Sequence, residues 1–526
     1  MKMERFVRLF HTIRYLKTKQ IGYRIYYLFR TRFRRFLGFS YPLQADAEGV
    51  LLQLQKSIDP PTSYTDGCFL FLNQPARFEK EIDWNYPNHG KLWTYNLNYF
   101  DFLHQPGLGR DEGLRLIEEY ISRMGSIEDG LEPFPISLRS INWIKFLSKY
   151  AIRNQTIDNS LRAQYAILID NLEYHLLGNH LLENGFSLLF GAYYFRDDTL
   201  YAKAKEILSD ELCEQILEDG AHFELSPMYH QIMLFRVLDS INLVKNNDWK
   251  DRELLPLLRQ KGAIMLGWLD TLTFPDGTTP LLNDSAYRIA PSPPALKSYA
   301  ASLDVKTERK PLSESGYRIR ETDRYKIVVD VGRVGPDYIP GHAHSDTFSF
   351  VLYKEDKPLI VDTGTSTYES NERRMVERGT AAHNTVMLDG LEQSEVWGGF
   401  RVARRAYVFG LEENEASITA RHDGYRGRVG AIHERKFVFN ENSIKISDNI
   451  ISKRLHDARF RIHFHPDIEP QIEKNRVYLC GEATIVVTNA DIALSHYHYA
   501  PEFNRLEPAY VLELAFNKEM EIEILL

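Results

Sequence analysis

Apolar residues recur at three- and four-residue spacing through the first three hundred positions, the signature of helices with one buried face. Segments near 112–124, 158–177, 199–218, 231–245 and 252–270 carry such stripes; Leu161, Tyr165, Leu168, Leu172 and Leu176 form one. Short connections rich in Gly, Asp, Asn and Pro separate them. Helix pairs of this kind bury their faces only against one another, so a bundle, solenoid or toroid of helical hairpins is expected. From about residue 317 the period changes. Segments 325–332, 347–353 and 358–362 are short, β-branched and aromatic, and further strands are expected at 402–409, 415–420, 434–440, 443–451, 458–465, 476–480, 484–489 and 510–515. This second half reads as an all-antiparallel sandwich. The stretch 288–316, with Pro291, Pro293, Pro294 and Pro311, reads as the linker.

Composition sharpens this picture in a few places. A chain of 526 residues exceeds one hydrophobic core, so two large domains are expected. Aromatic residues reach 12%, enough to line a carbohydrate site as well as the cores. The net charge of −8 is unevenly spread: residues 1–37 hold eleven Lys or Arg against Glu4 alone, leaving about −18 for the rest. Such a head can contact an anionic membrane surface or an anionic polymer, or be a solvated helix face packed on the body. No nucleic-acid motif is present. Cys68, Cys213 and Cys480 are far apart and form no CxxC pair, which argues against a disulfide framework or a thiolate metal site. No apolar run reaches the length of a membrane span. No apolar core or small-residue cleavage site follows the basic start. The expectation is therefore a cytoplasmic or membrane-peripheral protein, or a periplasmic one whose export signal lies outside this sequence.

Two groups of residues can carry chemistry. In 341–346 (GHAHSD), His342 and His344 stand two apart and would share one side of an extended strand. A turn from Lys354 to Pro358 would fold 347–353 onto 358–362, bringing Asp362 toward His344, and His383 follows in 381–385. His, Asp and His suit a divalent metal such as Zn²⁺. In a chain with 17 histidines the spacing alone also arises by coincidence. The second group lies in the helical half. Segment 178–185 (GNHLLENG) offers Asn179 and His180 after a helix, and 219–230 (DGAHFELSPMYH) offers His222, Glu224, Tyr229 and His230. Pro227 marks a loop or a helix start, which puts Tyr229 at an opening turn. These residues can line a cleft or serve only as caps and loop contacts.

GNHLLENG, DGAHFELSPMYH, GHAHSDTFSF, VDTGTSTY, RGTAAHNTV and QSEVWGGFRVARRA, taken in order, resemble the heparinase II/III family of polysaccharide lyases, and also oligoalginate lyases. The resemblance spans most of residues 90–400. It implies an α+β multidomain chain, an incomplete (α/α) toroid followed by an antiparallel β-sandwich; with the basic segment read from charge, the expected domains are 1–40 basic segment, 41–300 toroid and 301–526 sandwich. It also implies cleavage of a uronic-acid-containing acidic polysaccharide or oligosaccharide by β-elimination. On the matching positions, Asn179 resembles the asparagine that binds the uronate carboxylate, with His180 beside it; Tyr229 and His342 resemble the acid/base pair. Tyr368 matches a second active-site tyrosine of some members. Glu224 and Arg378, inside the motifs, are expected to support these groups. His344, Asp362 and His383 resemble the ligands of one structural metal ion, usually zinc. Two other functions remain open on the sequence: a non-lytic sugar-binding or assembly factor in capsule or exopolysaccharide production, and a glycoside hydrolase using two carboxylates from among Glu183, Glu218 and Glu224.

Overall fold

The computed structural model describes residues 2–526, with side chains from Arg5 onward; Met1 of the expected 1–40 segment lies outside the described residues. The basic head forms two helices, α1 (Lys2–Ile13) and α2 (Thr18–Phe36). A three-stranded antiparallel sheet over residues 64–77 follows. Nine helices then build the helical domain: α3 (Lys91–Tyr99), α4 (Arg110–Arg123), α5 (Pro133–Lys149), α6 (Gln155–Asp170), α7 (Gly178–Phe195), α8 (Asp198–Gln215), α9 (Pro227–Asn246), α10 (Leu255–Leu272) and α11 (Pro293–Ser302). The inner row α3, α5, α7, α9 and α11 packs each helix against the next, and α6, α8 and α10 pair with α5, α7 and α9 from outside. This arc of α/α hairpins is an incomplete toroid.

Inner helices are covered on almost every side. In α7 nearly every position from Gly178 to Tyr194 is buried, so no one-sided stripe marks it in the sequence. Helix α6 ends at Asp170, short of the expected 177. Residues 171–177 turn instead, with the Leu176 and Leu177 N–H groups donating to the Glu173 carbonyl, and Leu177 and Gly178 take left-handed φ values of 65° and 60° to start α7. The Pro-rich stretch read as a linker contains α11. Pro293 and Pro294 occupy its first turn, where a missing N–H is tolerated, and Leu296 and Tyr299 enter the helical core.

The C-terminal domain is a β-sandwich whose strand pairs are antiparallel. One four-stranded sheet runs Tyr317–Glu321, Tyr325–Asp330, Phe350–Lys354 and Lys357–Ile360 in sequence order. A second holds Asp491–Glu502, Arg505–Phe516, Ala458–His463 and Val386–Leu388. An eight-stranded sheet begins with Val408–Glu413 at one edge, contains Glu519–Leu525 in its centre and ends with Pro470–Glu473. The strand Tyr325–Asp330 is buried on both faces. Ile327 and Val329 enter the sandwich core, while Val328, with Val351 and Tyr353, packs on Trp268, Leu272 and Leu225 of the helical domain. That double burial explains the unbroken apolar run, and it seats the two domains on one another.

Candidate active site

The cleft between the domains holds a cavity of about 1550 Å³, whose walls include Asn179, Tyr229, Tyr368, Tyr99 and Arg288. Asn179 sits in the first turn of α7. Its backbone N–H and Nδ2 donate to Glu224, at 3.2 and 3.0–3.1 Å. Nδ2 is also 3.5 Å from His342 Nε2. Glu224 is buried and therefore orients the amide; its carboxylate also lies 3.5 Å from His342 Nε2. Tyr229 opens α9: Pro227 takes the first position and the Ser226 hydroxyl caps the Tyr229 N–H at 3.2 Å. The Tyr229 ring lies over the His342 imidazole, centroids 3.8 Å apart. Its hydroxyl meets that of Tyr368 at 3.2 Å. Burial pushes the Tyr229 phenol above its ordinary range, so it stays protonated.

His342 and His344 lie in a loop between strands, not on a strand. The expected 347–353 strand starts only at Phe350, because Phe348 adopts a φ of 69° and breaks the extended run. The two imidazoles share one partner that sequence reasoning missed, Asp284. Its Oδ2 accepts from His342 Nδ1 at 2.9 Å and its Oδ1 from His344 Nε2 at 2.8 Å. Arg374, in helix α12 (Glu372–Arg378), donates to both oxygens, 2.6 Å at Oδ2. Burial alone would raise the Asp284 carboxyl; Arg374 and the two imidazoles outweigh it and hold the group well below the usual carboxylate range. With Nδ1 held by this anion, His342 turns its Nε2 toward Asn179 and Glu224. Arg378 grips the main chain of the same loop, donating to the Ala343 carbonyl at 2.8 Å, and burial lowers its guanidinium to about 9. Asp284 stands in 281–286 (LLNDSA), a short polar break in an apolar stretch; nothing in its spacing ties it to a histidine some sixty residues away.

Of the other expected residues only Glu183 lines the cavity; His180, His222, His230 and Glu218 do not. His180 pairs through Nδ1 with Glu173 at 2.9 Å and packs on Phe134. Burial opposes its charge, but Glu173 prevails and raises its pKa. His222 and His230 are buried and structural: His222 binds Gln215 and His230 the Met265 carbonyl. The three carboxylates considered for hydrolysis do not form a pair. Glu183 lies 2.7 Å from Arg236 as a buried ion pair out of hydrogen-bond alignment, Glu218 is exposed, and Glu224 holds Asn179.

The residues expected to hold a metal come together in part. His383 Nδ1 donates to Asp362 Oδ2 at 2.8 Å, and the His383 ring stands 5.2 Å from that of His344. His344 Nδ1, His383 Nε2 and Asp346 Oδ2 are buried with no hydrogen-bond partner. Two imidazole lone pairs and a carboxylate oxygen left unsatisfied fit the donor chemistry of a divalent ion. Among the described residues, no group of three or more His, Cys, Asp or Glu is already arranged to hold one. Asp362 is turned to His383, and Asp346 supplies the unsatisfied oxygen.

Residues 140–310 match the family model described as heparinase II/III N-terminus, and residues 304–524 the one described as heparinase II/III-like, C-terminal. The chain belongs to the heparinase II/III-like family. It is 26% identical over 259 residues to a heparin-sulfate lyase of Bacteroides stercoris, covering 42% of this chain and 37% of that protein. It is 25% identical over 333 residues to the heparin-sulfate lyase of Pedobacter heparinus, covering 57% and 48%. The chain thus spans less than half the length of these curated relatives. A crystal structure of heparinase III shares the fold with a TM-score of 0.64 at 15% identity, over 85% of this chain and 80% of that one. The helical arc followed by a sandwich is therefore the family's architecture.

Proposed function

We propose that this member of the heparinase II/III-like family is a polysaccharide lyase that cleaves a uronic-acid-containing polymer by β-elimination. One observation carries the reading: a protonated phenol, Tyr229, and the imidazole of His342 lie with ring centroids 3.8 Å apart beside Asn179, where Tyr229 and Asn179 line a cavity of about 1550 Å³. The family match and the relatives named as heparin-sulfate lyases support an acidic polymer as substrate.

The C5 proton of a uronate is weakly acidic, because its loss adds charge beside an existing carboxylate. Asn179, fixed by Glu224, would donate to that carboxylate as charge builds. His342 Nε2 would take the C5 proton; the electron pair forms the C4–C5 double bond, the C4–O bond breaks, and the departing oxygen takes a proton from Tyr229. Tyr229 suits the acid role because burial keeps it protonated. Tyr368, 3.2 Å from it, would return a proton from the cleft. Asp284 fixes the His342 tautomer, a positioning role like that of a carboxylate behind a catalytic histidine. A divalent ion, zinc by its donor set, would be held by His344 and His383 with Asp362 or Asp346, and would stabilise the loop that carries His342. His180, at the rim, would contact the polymer next to the cleaved unit.

The test is an absorbance screen of purified protein against heparan sulfate, alginate, chondroitin and bacterial capsular polymers. Elimination leaves a conjugated double bond that absorbs near the ultraviolet edge. Growth of that band with at least one polymer is expected. Binding to a polymer without any such band would point to the non-lytic sugar-binding role instead.

A further inference from the structure

More than half of the exposed large apolar side chains among the described residues lie between Phe6 and Phe39, in the segment that also carries the basic cluster. Their arrangement inverts that of an ordinary surface helix. At 3.6 residues per turn, Gln20, Tyr23, Tyr27, Arg30 and Arg34 form one stripe of α2. This largely polar stripe faces the protein: Gln20 Nε2 donates to the Leu176 carbonyl at 3.0 Å, Tyr27 to the Leu172 carbonyl at 2.6 Å, and Arg30 pairs with Asp170 at 3.0 Å. The opposite stripe is apolar and faces out, with Ile25 51%, Phe29 64% and Phe36 85% exposed. Exposed Arg32 and Arg35 lie on or beside that outward stripe. Helix α1 is anchored similarly. Thr12 bonds Trp397 Nε1 at 3.1 Å, while Phe6 and Phe10 point away from that contact and are 67% and 56% exposed.

An apolar aromatic face with arginines on it and beside it is poorly matched to water and well matched to the boundary between lipid headgroups and acyl chains. Positions 1–37 hold eleven basic residues against one acid; Lys17, Arg30 and Arg34 pair with Glu214 and Asp170 of the body, and the remaining basic residues match a negative surface. No helix of the described residues is long and apolar enough to cross a membrane. We propose that α1 and α2 form a docking surface for an anionic lipid bilayer, lying in its interface with Ile25, Phe29 and Phe36 inserted and the arginines at the headgroups. This surface lies outside the cleft and goes beyond the lyase reading. A lyase held there would act on polymer close to a membrane.

The experiment is co-sedimentation of the full chain with vesicles of phosphatidylcholine alone and with about one third phosphatidylglycerol. The wild type is expected to sediment with the anionic vesicles and stay in solution with the neutral ones. A triple variant, Ile25→Ser, Phe29→Ser and Phe36→Ser, changes only exposed positions and is expected to bind about tenfold more weakly or less, with an unchanged circular dichroism spectrum. A control with Leu455→Ser and Leu506→Ser, exposed apolar residues elsewhere, is expected to bind like the wild type. Equal sedimentation of wild type and triple variant would overturn the proposal. So would light scattering that shows a lipid-free dimer which the triple variant converts to monomer, since the face would then be buried between copies of the chain.

Discussion

Replacing Asp284 by asparagine tests the hub on which the site is built. The carboxylate is fully buried and meets three groups at once: His342, His344 and the equally buried guanidinium of Arg374. Asparagine keeps the shape and removes the charge, so Arg374 becomes a buried cation without its counter-ion. Breaking one side of a buried pair typically costs about 3–5 kcal/mol, a large share of the roughly 5–15 kcal/mol that holds an average domain together. The amide also no longer demands Nδ1–H from His342 and Nε2–H from His344, so the orientation of the His342 ring beside Asn179 is no longer fixed. A loss of roughly 10²–10⁴-fold in turnover is expected, the usual range for one misplaced proton-transfer group. Stability is read by denaturant unfolding and activity by the ultraviolet band of the unsaturated product. A double variant, Asp284→Asn with Arg374→Met, separates the effects: it removes the stranded charge and should recover most of the lost stability, while turnover stays low. If Asp284→Asn alone unfolds within about 0.5 kcal/mol of the wild type and turns over within a factor of about three, Asp284 is not the hub described here.

Three further outcomes follow from the same geometry. Tyr229→Phe deletes the hydroxyl that meets Tyr368 and leaves the ring stacked on His342; turnover should fall roughly 10²–10⁴-fold with unfolding shifted by no more than about 1 kcal/mol, and equal turnover would remove Tyr229 from the mechanism. Elemental analysis of the purified chain should find a stoichiometric divalent metal that both His344→Ala and His383→Ala lose; a variant that retains full metal content would sink the ligand assignment. Asp448, paired across strands with Arg435 at 2.7 Å and with His433, is held down to about 2 against the opposing effect of burial. Its folded value is below its ordinary one, so its contribution is full above about pH 4 and is lost as pH falls toward 2; acid titration of stability should show a loss of about 2 kcal/mol across that window, absent in Asp448→Asn.

Much of the fold is legible in the residues, and the misses have physical causes. Helices with a wet face, such as α4, α8 and α10, announce themselves by period. Helices α5 and α7 are wrapped on all sides and lose that period, so the helix that Asn179 opens is not visible in the sequence. The strand 325–330 is visible because both its faces are buried. The strand expected from 347 begins only at Phe350 because Phe348, apolar and β-prone, turns the chain with a left-handed φ that only the folded context sustains. At the site, the histidine-bearing motif is plain, but the carboxylate and guanidinium that orient it, Asp284 and Arg374, come from separate elements and have no shared spacing to reveal them.

The proposed elimination joins Tyr229 of the helical domain to His342 of the sandwich domain, whose rings lie 3.8 Å apart. The mass of the new non-reducing end is the most direct measurement. Digestion of a uronate polymer by the purified chain should give fragments lighter by one water than the products of hydrolysis, and the His342→Ala chain should give none. Fragments of hydrolytic mass, or light fragments undiminished in the His342→Ala chain, would contradict it.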